Sequence, residues 1–554
     1  MLEGCIPWPD DFVKEFKEKG YWEDIPFGEH FDRWVKQYAD RPALSYQGQE
    51  INYCQLDEYV TRLAFHMTRL GVETYDRVVI QLFNVPELVY AVYACLKIGA
   101  IPICTLPTHR WSEISFLAKE AEARVHIIPA GAVKDFDYET FAEEIREAVP
   151  GMQLVLTAGK PMNAGMVSID ELIHQGPDLD ICRQALEKFR PDPMEPAFFQ
   201  LSGGTTGTPK IIPRTHNDYY YNAKCSAEAL EYNENSRILV TMPLMHNAPM
   251  INALLPVHLK GGCVALMPSL APESILQAIE ENKPDILLAI QVHMIRLLGL
   301  RDEVRQKYDY SSVKRLIGGW NPLDPDIPKF FDVFNCTGVA TYGMAEGLIC
   351  WSRWSDPHEI WFYTHGRPVS EADETRVVGS GTWESLPAGE KGEMQCRGPY
   401  TIRGYYKAPE RNKDAFTQDG FYRTGDLVVK DANGYITWSG RFKDCIDRGA
   451  EKINAEEVEG HIVTFPKVKD VAVVGMPDKE MGERVCAFVV EQGDDIFTLA
   501  ELQEYLLNIR NIAKFKLPER LEFIDALPLT KVGKFEKKSL REKITAILKA
   551  EGKI

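Results

Sequence analysis

Residues 201–210 read Leu-Ser-Gly-Gly-Thr-Thr-Gly-Thr-Pro-Lys and follow an apolar, strand-like run, Pro196-Ala-Phe-Phe-Gln-Leu201. Gly203, Gly204 and Gly207 let backbone N–H groups converge on an anion, because glycine enters φ > 0 without a side-chain penalty. Ser202, Thr205, Thr206 and Thr208 add hydroxyl donors, and Lys210 adds a positive charge. This is the chemistry of a polyphosphate cradle, although the spacing G-x-x-x-x-G-K-[ST] cannot be laid over it. Further along, Tyr342-Gly-Met-Ala-Glu-Gly347 sets an acid, Glu346, after a predicted strand, and Phe421-Tyr-Arg-Thr-Gly-Asp426 sets another at the end of a β segment. The stretch from Gly440 to Lys452 is a charged connector, and Pro528-Leu-Thr-Lys-Val-Gly-Lys534 ends in a lysine on a predicted loop. Taken singly, each has a plainer reading: a glycine turn, a helix cap, a turn former, a solvated lysine.

The elements that must position these residues follow from hydrophobic patterning. Arg77–Leu82 reads as a strand, Pro86–Lys97 as a helix and Ala100–Thr105 as a strand. The alternation recurs at Arg237–Met242, Pro249–Leu259 and Cys263–Met267, at Asp285–Ile290, and at Val313–Ile317, Pro325–Phe334 and Val339–Tyr342. Strands alternating with helices imply an α/β fold of parallel sheets with crossover helices, whose ligands sit beyond the strand C-termini. The phosphate loop, His246, Gly318 and Tyr342 all follow predicted strands and so can meet at one rim. From about Glu374 to Arg441, short alternating runs and the hairpin signal Asp431-Ala-Asn-Gly434 predict a small β subdomain. A fresh α+β pattern then runs through Val468–Val474, Val485–Val490, helix Leu499–Asn508 and strand Leu521–Ile524.

The chain has 554 residues, 45% of them hydrophobic, and a formal charge of −18. That charge argues against nucleic acid or an anionic membrane as partner. The 12 cysteines are scattered, with no C-x-x-C pair, which suits a reducing, cytoplasmic setting rather than a disulfide framework or zinc site. The expectation is no secretory signal and no membrane span.

In this order and at these separations, the segments resemble the adenylate-forming superfamily of acyl- and aryl-CoA synthetases, peptide-synthetase adenylation domains and luciferases, over nearly the whole chain. Within it, Pro243-Leu-Met-His-Asn247, Tyr342–Leu348, the run Arg397–Lys407 and Ile212-Pro-Arg-Thr-His216 are similar to stand-alone aryl-acid ligases of the 2,3-dihydroxybenzoate–AMP and salicylate–AMP type. The resemblance implies an N-terminal domain, 1–440, of two α/β subdomains plus a β-barrel (about 374–440), and a small mobile C-terminal domain, 441–554. It implies ATP as substrate with Mg²⁺ held by Glu346, phosphates on the 202–210 loop, and adenine between Tyr342-Gly343 and Gly318-Gly319. It further implies ribose on Asp426 with Arg441 nearby, and Lys534 reaching in as a catalytic residue beside Glu346 and His246. For thioester formation with a pantetheine thiol, the C-terminal domain would turn about Asp444 and present Gly449 to Lys452, where Ala450 replaces a usual glycine. With no carrier domain following residue 540, the acceptor is expected to be a separate aryl carrier protein or CoA.

The acid pocket departs from those relatives. Asn247 matches the residue that contacts an ortho hydroxyl, but Ala248, Asn252, Trp320, Thr341 and Ile349 replace a tyrosine, a serine or cysteine, a small residue and two apolar ones. Compensating drift around the same acid is one reading; a different cyclic acid, met by the indole N–H of Trp320 and the amide of Asn252, is the other. The expected function is aryl-acid adenylation and loading of a carrier in a siderophore-like or other nonribosomal peptide pathway. An acyl- or aryl-CoA ligase of catabolism is the alternative.

Overall fold

The computed structural model describes residues 1–202, 209–320, 326–379, 383–441, 445–448, 451–478, 481–493, 497–510, 512, 514–529 and 535–554, with backbone alone at Asp326, Arg441, Cys445, Asp447, Glu451, Lys452 and Asn454.

Two large twisted sheets carry the first part of the chain. In one, Arg237–Val240, Cys263–Leu266, Ile286–Ile290, Arg315–Gly319 and Thr337–Gly343 run parallel, joined through Cys263–Leu266 to Pro42–Tyr46. Antiparallel strands close its two edges: Gln49–Asn52 on one side, and Ile349–Trp351 with Arg367–Pro368 on the other. In the second sheet, Arg77–Ile80, Ile101–Cys104, Val125–Pro129 and Leu154–Ala158 run parallel, and Pro196–Ser202 joins Ile101–Cys104 before turning back antiparallel into Lys210–Thr215. The strands are near-continuous Val/Ile/Leu runs because helices cover both faces. One core cluster, holding Phe27, Leu44, Tyr93, Phe198, Tyr219, Leu254 and Trp351, lies between the two sheets. A second, holding Leu239, Leu287, Leu316, Phe330 and Ala340, covers the opposite face of the first sheet.

The expected helix Pro249–Leu259 is broken differently. It starts as α-helix at Asn247–Pro249, widens to a π-turn over Met250–Leu254 and returns to α-helix at Leu255–Leu259. Pro256 supplies a cause, since it has no N–H to give the carbonyl four residues back. That carbonyl, Asn252 O, instead accepts a 2.7 Å hydrogen bond from the Tyr232 hydroxyl.

The predicted β segment is a four-stranded antiparallel sheet of Glu374–Val378, Lys391–Arg397, Tyr422–Lys430 and Ile436–Arg441. Its last hairpin turns at Gly434 (φ 84°) while the Asp431 carboxylate accepts the Tyr435 N–H. Beyond it, Val468–Asp478 and Gly482–Glu491 form a long antiparallel pair, extended by Arg520–Phe523 and packed by helices Ala455–Ile462, Leu499–Asn508 and Lys537–Ala550. Among the described residues, no helix is long and apolar enough to cross a membrane.

Candidate active site

The strands Pro196–Ser202 and Lys210–Thr215 bring Ser202 directly opposite Lys210, so both flank the 203–208 loop, which lies outside the described residues. The Ser202 hydroxyl is buried with no hydrogen-bond partner among the described residues. The Lys210 ammonium donates to the Tyr405 hydroxyl at 3.2 Å and lies 4.7 Å from its ring centroid. Tyr405 in turn donates to Glu346 Oε1 at 2.8 Å, and its oxygen lies 2.9 Å from the Tyr422 hydroxyl. Burial, with the Glu346 charge beside it, raises the Tyr405 pKa far above the phenol range, so the ring stays a neutral donor. A cation and a carboxylate from distant segments are thus held on one phenol.

Glu346 sits in the turn after Thr337–Gly343, closed by Met344 N–H donating to Leu348 O at 3.1 Å. Gly347 (φ 158°) is required there, because a Cβ would stand 2.6 Å from the Thr401 Cα. Arg214 fastens the turn from behind. It is wholly buried and donates to Ala345 O at 2.9 Å, Tyr400 O at 3.1 Å and Asp218 Oδ1 at 2.8 Å. Burial raises the Asp218 pKa, opposed chiefly by the charge of Arg214.

The second acid, Asp426, is 4% exposed and accepts the Tyr342 hydroxyl at 2.9 Å through Oδ2. Arg441 is its cross-strand partner in register, which brings two predicted nucleotide ligands to one place on the sheet. Gly318 and Gly319 end the strand beside that of Tyr342. A Cβ on Gly318 would stand 1.7 Å from Ala289 O, so close strand packing already demands glycine there. On Gly319 it would meet only Thr341 O, at 4.0 Å, leaving open space on that face. A Cβ on Gly343 would stand 2.6 Å from the Ile349 Cδ1.

His246, half-buried, caps the short helix that begins at Asn247. Asn247 Oδ1 accepts from Tyr219 at 2.9 Å, and Tyr219 accepts from Gln200 at 3.0 Å. Asn247 Nδ2 reaches Met344 O at 3.5 Å, tying the helix to the Glu346 turn. Ala248 is half-buried beside it. Asn252 Oδ1 accepts the Trp351 indole N–H at 3.1 Å. Thr341, opposite Trp351 in register, gives its hydroxyl to Cys350 O at 2.9 Å, and Ile349 is buried in the cluster between the sheets.

Trp320 departs from expectation. Its ring packs edge-on against Phe331 (5.6 Å between centroids) in the cluster on the other face of the sheet from Ile349 and Trp351. Strand alternation explains this, since Trp320 follows Leu316 and Gly318 on that face. Its Nε1 is buried with no hydrogen-bond partner among the described residues. Gly203, Gly204, Thr205, Thr206, Gly207, Asp444, Gly449 and Lys534 lie outside the described residues, and Arg441 and Lys452 are described in backbone alone.

Sequence reading assigned no role to Arg214, Tyr405 or Trp351. A signal existed for the first: an arginine directly after the apolar run Ile211-Ile-Pro213, with an aspartate four residues on. Tyr405 and Trp351 carry none, because their partners are fixed only by the fold.

The chain matches the family model described as AMP-binding enzyme over residues 31–406 and that of the AMP-binding enzyme C-terminal domain over 457–534. It is 38% identical over 552 residues to the 2,3-dihydroxybenzoate-AMP ligase of Bacillus subtilis (strain 168), covering 99% of each chain. It is also 38% identical to the 2-hydroxy-7-methoxy-5-methyl-1-naphthoate–CoA ligase of Streptomyces carzinostaticus, covering 97% of this chain and 96% of that one. Among solved structures, the apo structure of Mycobacterium smegmatis MbtA superposes with a TM-score of 0.73 at 32% identity, covering 98% of this chain and 99% of that one.

Proposed function

Because the chain belongs to the AMP-binding enzyme family, we propose that it is an aryl-acid–AMP ligase that joins an aromatic carboxylate to the AMP moiety of ATP, releases pyrophosphate, and passes the acyl group to a pantetheine thiol. The observation that carries this reading is the Lys210–Tyr405–Glu346 chain beside the Tyr342–Asp426 pair. A carboxylate and a triphosphate are both anions, so their reaction needs fixed charges placed before they meet.

Lys210, Ser202 and the 203–208 loop would hold the β- and γ-phosphates. Asp426, with Arg441, would take the ribose hydroxyls, and Tyr342-Gly343 with the open face at Gly319 would take the adenine. The site fits magnesium delivered with ATP. Glu346 offers one carboxylate, and no cluster of three His, Cys, Asp or Glu stands ready to cage a metal among the described residues. Mg²⁺ is usually held that way, by one or two carboxylates with phosphates and water completing its shell, and it would neutralise phosphate charge there. Asn247, Ala248, Asn252, Thr341 and Ile349 would line the acid pocket, with His246 at its mouth.

Residues 1–440 would form the adenylating domain, and 441–554 a mobile domain that brings Lys534 to the carboxylate and phosphate. Turning about Asp444, that domain would then present Gly449 to Lys452 to the thiol. The acceptor is a separate aryl carrier protein, and the enzyme works in the cytoplasm. The similarity to a naphthoate–CoA ligase supports a second reading, with CoA as acceptor.

Acid-dependent exchange of labelled pyrophosphate into ATP tests the first step. ATP binding without exchange across a wide panel of aromatic acids would refute it. Acyl-CoA formation, against loading of a phosphopantetheinylated carrier, separates the two acceptors.

A further inference from the structure

Asn252 lies five residues after Asn247, inside the wide turn over Met250–Leu254. It is 2% exposed. Its backbone carbonyl oxygen accepts from the Tyr232 hydroxyl at 2.7 Å, and Oδ1 accepts from the Trp351 indole N–H at 3.1 Å. An indole N–H can only donate, so the amide is forced to turn its oxygen to Trp351. Nδ2 is thereby turned away from Trp351 as a donor, and it has no hydrogen-bond partner among the described residues. Trp351 is itself immobile, being fully buried and paired in register with Thr341 on the same face as Ile349.

Resting on the reading that Asn252 lines the acid pocket, we propose that Asn252 is a specificity-determining hydrogen-bond donor, that Trp351 is the positioning residue that fixes its polarity, and that the acid activated carries a hydrogen-bond acceptor on its ring system facing the 250–254 turn. A ring nitrogen, a ring carbonyl or an alkoxy oxygen satisfies Nδ2. A purely hydrocarbon ring leaves a buried donor unpaired and is rejected for that reason. A ring amine, whose hydrogens point at a donor, is rejected as well.

The test uses full-length enzyme and pyrophosphate exchange over carbon-for-heteroatom pairs: naphthoates against their quinoline and isoquinoline aza-isomers, and ethyl- against methoxy-benzoates. In at least one pair the acceptor-bearing acid should lead its carbon isostere by roughly 5- to 150-fold in kcat/KM, the range for one buried unpaired neutral donor. Asn252→Asp keeps an oxygen for Trp351 but loses the donor, and should abolish or invert that ratio. Trp351→Phe frees the amide to turn and should shrink the ratio, a change that altered stability alone does not produce because both acids report on one protein. Exchange in the unaltered enzyme with no pair separated by more than twofold overturns this inference and leaves the adenylating reading standing. So does a ratio that survives Asn252→Asp. ATP binding without exchange for any acid overturns both.

Discussion

Arg214→Met keeps the length and apolar bulk of the side chain and deletes its guanidinium. Arg214 and Asp218 are 0% and 2% exposed at their side chains, so the substitution strands a carboxylate that water cannot reach. Breaking a buried ion pair by removing one partner costs about 3–5 kcal/mol. The carbonyls of Ala345 and Tyr400 lose their donor in the same stroke. Against a total stability of about 5–15 kcal/mol, this removes a large part of the margin. The deficit has a pH signature. Burial already raises the Asp218 pKa and Arg214 is the leading influence against that rise, so the variant's carboxyl titrates higher still. A folded state that holds its proton more tightly than the unfolded chain is favoured at low pH and loses stability as the pH climbs through the folded pKa. The deficit should therefore widen between mildly acidic and alkaline buffer. Urea unfolding followed by tryptophan fluorescence at several pH values measures it. Adding Asp218→Leu removes the stranded charge and should recover most of the loss. Because Ala345 precedes Glu346, the folded variant should also need more Mg²⁺ for half-maximal exchange. A destabilisation below about 1 kcal/mol, or one independent of pH, would refute the reasoning.

Tyr405→Phe removes the bridge between Lys210 and Glu346 and should lower kcat/KM for ATP by about 10- to 100-fold, the worth of one hydrogen bond to a charged group; steady-state exchange at varied ATP reads this out. Trp320→Ala should cost about 3–5 kcal/mol by opening a cavity against Phe331, with acid preference unchanged; a switch in preferred acid would place the indole in the pocket after all. Lys534→Ala should abolish adenylation yet largely spare thioester formation from preformed acyl-adenylate, because a long cationic stem suits a reach-in role in one step alone. Equal loss in both half-reactions, measured separately, would contradict it.

Much of the fold is legible from one-dimensional pattern. The strands read at Arg77–Leu82 and Arg237–Met242 occur at Arg77–Ile80 and Arg237–Val240, and helix Leu499–Asn508 spans those residues. Each rests on local apolar runs and caps. Asp426 and Tyr342 are legible as chemistry, but their 2.9 Å contact joins residues 84 apart in sequence and depends on two sheets meeting. Trp320 shows the converse failure. Its position after a glycine pair suggested the site, whereas strand alternation turns it to the core. The helix read as continuous over Pro249–Leu259 is interrupted ahead of Pro256, and only the fold supplies Tyr232 to the released carbonyl.

That wide turn has a bearing on how this part of the chain can change over generations. The 250–254 turn holds one residue more than an α-helical turn would. Loss of a single codon there would rotate the preceding side chains by about 100° relative to those that follow. The Asn247 end would then face a different direction while the sheet beneath kept its register. The direction in which the Asn247 end points is therefore adjustable by length as well as by composition, without altering a strand.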